Sequence, residues 1–127
     1  TDHGAFTYEA LDDYPDFISL VAFEVSRDPS ARGIVIGGSG QGEAIVANRF
    51  KGVRAVVFYG DHTPKEGGLA PNIIRLSREH NDSNVLSLGA RFITPNEAKI
   101  AVNLWLGTKF TGDERHVRRI KKIDEIK

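Results

Sequence analysis

Gly37-Gly38-Ser39-Gly40-Gln41-Gly42-Glu43 joins a run of small residues to a single carboxylate at its end. A short β-branched segment, Gly33 to Gly37, precedes the run and a helical pattern follows it. Backbone N–H groups at such a strand-to-helix turn can point outward at an anion. Two familiar phosphate loops fail to fit. No G-x-G-x-x-G triplet can be laid on the run, and Glu43 stands where the G-x-x-x-x-G interval from Gly37 to Gly42 would need lysine to bind a triphosphate. A carboxylate there repels a polyphosphate. It suits a different chemistry, in which N–H groups stabilise a small developing oxyanion while Glu43 takes a proton from carbon. A helix N-terminus favours negative charge at that position. Taken alone, the turn reads equally well as a tight connection followed by a good first-turn helix residue.

His80 and Asn81, in Arg78-Glu79-His80-Asn81-Asp82, bring an imidazole and a carboxamide to the end of a helix just before a buried strand. His80 could exchange a proton with a substrate oxygen; alone, it reads as a polar helix end favoured by the dipole. Arg115 and Arg119 are spaced i,i+4 on the terminal helix and share a face, offering two guanidinium forks to a phosphate monoester. Arg91 follows the third strand. A charged terminal helix is also the ordinary form of a solvated face, so these arginines decide nothing by themselves. His116 lies beside the pair but faces elsewhere. His3 and His62 fall in loops, and the absence of H-x-x-x-H or H-E-x-x-H spacing leads to the expectation of no metal cofactor.

Alternating elements must position these groups. Phe17, Ile18, Val21, Ala22 and Val25 recur at helical spacing after Asp13, an N-cap candidate, with Pro15 in the first turn and Asp28-Pro29 as the stop. Gly33 to Gly37 has the composition of a fully buried parallel strand. A helix is expected over Glu43 to Phe50, strands over Val53 to Tyr59 and Asn84 to Leu88, and a helix from Asn72 to His80. Thr94-Pro95-Asn96-Glu97 is a capping box opening a helix whose apolar face is Ile100, Ala101, Leu104 and Trp105. Asp113 to Lys127 carries Val117, Ile120, Ile123 and Ile126 on one stripe of an amphipathic helix. Gly60 to Pro71, with three glycines and two prolines, reads as a surface loop. Alternation of this kind predicts an α/β fold with a parallel sheet, helices on both faces and ligands at the carboxyl ends of strands.

The 127 residues suit one domain, residues 1–127, with 17 basic and 17 acidic side chains that cancel. No overall field draws such a chain to nucleic acid or to an anionic membrane. No apolar run reaches the length of a membrane span and no secretory pattern opens the sequence, so a cytoplasmic protein is expected. The chain has no cysteine, which removes disulfides and thiolate nucleophiles and leaves acid-base chemistry to carboxylates and histidines.

Asp13-Tyr14-Pro15-Asp16-Phe17, Gly37 to Glu43, Ala47-Asn48, Gly52-Val53-Arg54-Ala55, Leu76 to Asn81, Leu88-Gly89-Ala90-Arg91 and Arg115 to Arg119 occur in an order that resembles the type B ribose-5-phosphate isomerases, in the wider group with galactose-6-phosphate isomerase. The likeness runs to about Ile126. It implies a Rossmann-like three-layer α/β/α fold and interconversion of an aldose phosphate and a ketose phosphate through an enediol, without metal or organic cofactor. One branch of the family uses a strand cysteine as base, and Gly37 occupies that place; the other uses the glutamate closing the turn, which Glu43 matches. The resemblance further implies an anion hole from Gly38, Ser39, Gly40, Gln41 and Gly42, ring opening assisted by His80, and substrate contact by Asn81. It puts Arg91, Arg115 and Arg119 at the phosphate and Tyr14 in the pocket wall. Homodimers or homotetramers with sites across the subunit interface are implied as well.

Two departures stand out. Family chains begin with a strand ending in a sugar-holding Asp-His pair, then a helix and a second strand. Asp2-His3 lies too close to Asp13-Tyr14-Pro15 to leave room for that helix, since a strand-helix-strand unit takes about thirty residues. Asp2-His3-Gly4-Ala5 instead resembles the end of the second strand, so the first strand and its helix are expected to be missing. The loop from Gly60 to Pro71 is also longer than in many members. The substrate expected first is ribose 5-phosphate; the alternatives are a six-carbon substrate such as galactose or allose 6-phosphate, and a non-catalytic sugar-phosphate-binding domain.

Overall fold

The computed structural model describes residues 1–60 and 72–126. Within them the order is α1 (Tyr14–Arg27), β1 (Gly33–Gly37), α2 (Gln41–Ala47), β2 (Ala55–Phe58), α3 (Ile73–Asn81), β3 (Val85–Gly89), α4 (Pro95–Gly107) and α5 (Glu114–Asp124). The loop expected over Gly60 to Pro71 lies, beyond Gly60, outside the described residues. Asp2 to Ala5 join no strand.

Three parallel strands run in the order β1-β3-β2, with Gly33 to Gly37 alongside Val85 to Gly89 and Ala55 to Phe58 alongside Val85 to Leu88. Strand alternation sends successive side chains to opposite faces, and the core divides accordingly. Val35 and Val85 pack with Ile18, Ala22 and Val25 of α1 and Ala47 of α2. On the other face Leu86, Leu88 and Phe58 pack with Ile74 of α3 and Ala101 and Trp105 of α4. This is the Rossmann-like α/β/α arrangement. Each fully buried aliphatic side chain contributes about 1.5–3 kcal/mol, so the two clusters, not the short strands themselves, hold the sheet.

The fully buried strand is β3; β1, expected to be buried throughout, is not. Gly33 and Val35 are inside while Ile34 and Ile36 are exposed, Ile36 by 64%. The reason is topological: β1 is an edge strand, and its outer edge has no strand partner among the described residues. A groove runs along each face of that edge. One, of about 520 Å³, is walled by α1, residues 1–5 and β1; the other, of about 680 Å³, by β1, Ile93 and α4.

Helix boundaries follow local chemistry. The Thr94 capping box forms in full, with Thr94 Oγ1 accepting from Glu97 N and the Glu97 carboxylate accepting from Thr94 N at 2.7 Å. Asn72 caps α3 by accepting from Arg75 N. Asp13 is the N-cap of α1 by position, but its side chain makes no capping bond. In α2 the start moves back to Gln41 and the end to Ala47, because Gly40 turns the chain through φ 75° and lets the helix begin at once. The terminal helix is shorter than its apolar stripe suggested. Val117 and Ile123 are about half exposed, Ile126 lies past the helix, and the buried member of α5 is His116.

Candidate active site

The glycine turn sits at the carboxyl end of β1, pinned from below by the neighbouring strand. Ser87 Oγ donates to Gly40 O at 2.6 Å inside the core, Ala90 N donates to Gly37 O and Arg91 N to Gly38 O. At Gly89 the turn comes so close that a methyl group would stand 2.7 Å from Ser39 O. The turn therefore lies flat on the end of β3. Ser39, exposed, accepts from Gln41 N at 3.3 Å through its own Oγ, a weak bond that leaves the hydroxyl free to turn.

Glu43 belongs to the first turn of α2, and its side chain folds back over the end of β1. It is 7% exposed, and its carboxyl group fills the space that a side chain on Gly37 would take. No hydrogen bond or ion pair among the described residues engages that carboxylate. A buried carboxylate normally has partners, so a free one held at a helix N-terminus is unusual. Arg91 reaches over the same turn: a methyl on Gly38 would lie 3.1 Å from its Nε. Tyr14, half exposed at the start of α1, sets its hydroxyl over Gly42, 2.6 Å from where a methyl would be. The turn's glycines are thus what admits three side chains to one small area. Glu43, Arg91, Tyr14 and residues 38–42 form one group.

His80, Asn81, Arg115 and Arg119 form another, and it lies at the opposite end of the sheet. Helix α3 runs back against the strands, so His80 and Asn81 stand before the start of β3, and Asn81 O accepts from Nε of Arg54, just ahead of β2. Strands rise about 3.3 Å per residue, so a five-residue strand places roughly 13 Å between the two ends. Arg115 and Arg119 are exposed and, like Arg91, enter no ion pair among the described residues. A single chain does not bring the two groups together.

Arg78, the first residue of Arg78-Glu79-His80-Asn81, serves the frame. It is 5% exposed, donating to Thr108 O, to Ser83 O at 2.6 Å and to Asp82 Oδ1 at 2.7 Å, with its guanidinium 5.8 Å from the Trp105 ring. Trp105 Nε1 donates to Ser83 Oγ. Asp82 meanwhile takes a left-handed conformation, φ 44°, and also pairs with Arg54 at 3.0 Å. This network ties down the turn that presents His80 and Asn81. Arg78 is the buried member of its pair with the part-exposed Asp82, so removing Asp82 would leave a buried guanidinium without its carboxylate and destabilise this end of the fold.

Sequence reasoning missed the residue lying on His80. His116 of α5 is 4% exposed and stacks on the His80 ring with centroids 4.3 Å apart and planes at 15°. Burial pushes its imidazole below the ordinary value, and the neighbouring His80 and Arg115 add to the effect. Its separate facing from Arg115 and Arg119 was legible; the stack, made across two helices far apart in sequence, was not. Ser87 was equally silent, being a serine in an apolar strand. Among the described residues no helix is long and apolar enough to cross a membrane, and no cluster of three or more acidic or histidine side chains could hold a metal.

A family model described as Ribose/Galactose Isomerase matches residues 1–123. Ribose-5-phosphate isomerase B of Mycolicibacterium paratuberculosis is 38% identical over 124 residues, spanning 98% of this chain and 72% of that protein. The Escherichia coli protein of the same name is 39% identical over 125 residues, with 98% and 76% covered. Among solved structures, ribose-5-phosphate isomerase B from Mycoplasma genitalium with bound ribulose-5-phosphate superposes with a TM-score of 0.82 at 38% identity, covering 95% of this chain and 73% of that one. The Thermotoga maritima enzyme gives 0.82 at 38%, with 99% and 79% covered. With its fold and nearly its whole length matched by these proteins, the chain belongs to the ribose/galactose isomerase family.

Proposed function

We propose that the protein interconverts an aldose phosphate and a ketose phosphate, ribose 5-phosphate and ribulose 5-phosphate first among them, with Glu43 carrying the proton between C2 and C1. The observation that carries this reading is the unpartnered Glu43 carboxylate held beside a glycine turn in which Gly38 N, Ser39 N and Gly40 N donate no hydrogen bond among the described residues. The base removes the C2 proton of the open-chain aldose. Charge then builds on the C1 oxygen, where the turn N–H groups and Ser39 stabilise the enediolate; a proton passes from the C2 hydroxyl to the C1 oxygen, and Glu43, whose proton can exchange with solvent, protonates C1. Gly38 to Gly42 form the hole and Tyr14 walls it. His80 assists opening of the sugar ring, Asn81 contacts the sugar, and Arg91, Arg115 and Arg119 hold the phosphate. The test is turnover of ribose 5-phosphate beside galactose and allose 6-phosphate. Faster conversion of the five-carbon sugar is expected, since an extra carbon and hydroxyl must be fitted by pocket shape. Binding without conversion of any of the three would sink the enzymatic reading.

The placement of the two groups at opposite ends of the sheet supports a homodimer in which each site takes Glu43 from one subunit and His80, Asn81, Arg115 and Arg119 from the other. In a two-fold dimer both sites are built the same way. Subunits carrying Glu43→Gln, mixed in equal amounts with subunits carrying Arg115→Ala and Arg119→Ala, then form hybrids with one intact site and one doubly damaged site. Random exchange makes half the dimers hybrid, so activity should recover to about a quarter of wild type from two nearly inactive parents. No recovery after verified exchange would place all the residues of a site in one subunit.

A further inference from the structure

The His80–His116 stack has a polar cost that packing alone does not explain. His116 is nine-tenths buried, and its Nε2 has no hydrogen-bond partner; the nearest carboxylate oxygen, Asp113 Oδ2, is 3.8 Å away. A buried ring nitrogen left without a partner is destabilising, and a phenyl ring would fill the same space without that cost. The groups around it are His80 from α3 and Asp113, Arg115 and Arg119 from the end and face of α5. Two of the three charged neighbours are cationic and the ring is buried, both of which favour its neutral form. A neutral, flat, immobile plate is what remains. Its own helix is tied to α3 one residue before His80, where Thr111 N and Thr111 Oγ1 both donate to Glu79 O, at 3.2 and 2.9 Å.

We infer that His116 is a positioning residue: it fixes the plane in which His80 presents its imidazole to the ring oxygen of a cyclic sugar phosphate. The inference rests on the proposed role of His80 in ring opening. His80 is itself only partly buried, at the exposed end of α3, and one face of its ring is covered by His116. Without that plate the imidazole can rotate about its side-chain bonds, and proton transfer to a specific oxygen is sensitive to displacements of an ångström. Carbon-proton transfer at the distant glycine turn has no such dependence.

Two readouts separate these steps. Conversion of ribose 5-phosphate needs ring opening, whereas ribulose 5-phosphate has no free hydroxyl placed to close a five-membered ring and is already open. Exchange of its C1 proton with deuterium oxide therefore reports the base alone. In His116→Ala, ribose 5-phosphate turnover should fall about 10–100-fold while C1 exchange stays within about threefold of wild type. His116→Phe, which restores a flat ring, should recover most of the turnover. The proton resonance of the His80 ring, shielded by the stack, should move downfield in the alanine variant and far less in the phenylalanine variant. Equal losses in both readouts, full turnover in His116→Ala, or a phenylalanine variant that is folded but no better than alanine would overturn the inference. A wild-type protein that shows the stack by resonance but neither converts nor exchanges removes the ring-opening reading, and this one with it. Wild-type activity with an unshielded His80 removes this one alone.

Discussion

Glu43→Gln is expected to abolish isomerisation while leaving phosphate-ligand affinity nearly unchanged. Glutamine has the same length and volume, so the fold over Gly37 and the first turn of α2 can persist. What is lost is the basic oxygen. A positioned general base contributes about 10²–10⁴-fold, and loss at the upper end of that range is expected because the chain has no thiol to substitute and no second carboxylate among the residues gathered at the turn. The decisive measurement is kcat for ribose 5-phosphate together with C1 exchange of ribulose 5-phosphate. Both should fall by the same factor, since both need the base. A variant that keeps more than about a tenth of wild-type activity shows that another group moves the proton.

Gly37→Ala should come close to the same loss by a purely steric route. Gly37 is not among the glycines with positive φ, so its backbone accepts alanine without strain. The added methyl nevertheless lands inside the volume now held by the Glu43 carboxyl group. The side chain must leave, and a base moved by an ångström or more loses about 10²-fold. The signature is non-additivity. In a Glu43→Gln background the alanine at 37 should add little, because the group it displaces no longer catalyses. Independent, multiplying losses would mean that Gly37 acts in some other way. The same overlap offers a physical reason for the two branches of the resemblance: a strand cysteine at this position and a glutamate folded over it would compete for one space.

The overlap of Gly37 and Glu43 also marks the limit of reading along the chain. That a carboxylate closes a glycine turn at a strand end was evident from residue types and spacing, as was the sense of the Thr94 capping box, because both are settled within four to seven residues. The Phe17 to Val25 periodicity foresaw α1 for the same reason. Burial of β1 was misjudged because Ile34, Val35 and Ile36 are equally apolar, and only the strand order reveals which face is covered. The stripe of α5 misled in a similar manner: helical spacing identifies a face, but the neighbours decide that His116, not Val117 or Ile123, goes inside.

By itself the sequence determined the alternation of strands and helices, the absence of thiol chemistry and a glycine turn that ends on a carboxylate. These depend on covalent order and local backbone preference. Only the tertiary structure decided that Glu43 rests on Gly37, that Arg91 and Tyr14 reach the same turn, that His116 plates His80, and that the two groups face opposite ends of the sheet. Glu43 and Gly37 are only six residues apart, but the other contacts join segments tens of residues apart, in a fold where β3 inserts between β1 and β2, a pairing that no local preference encodes.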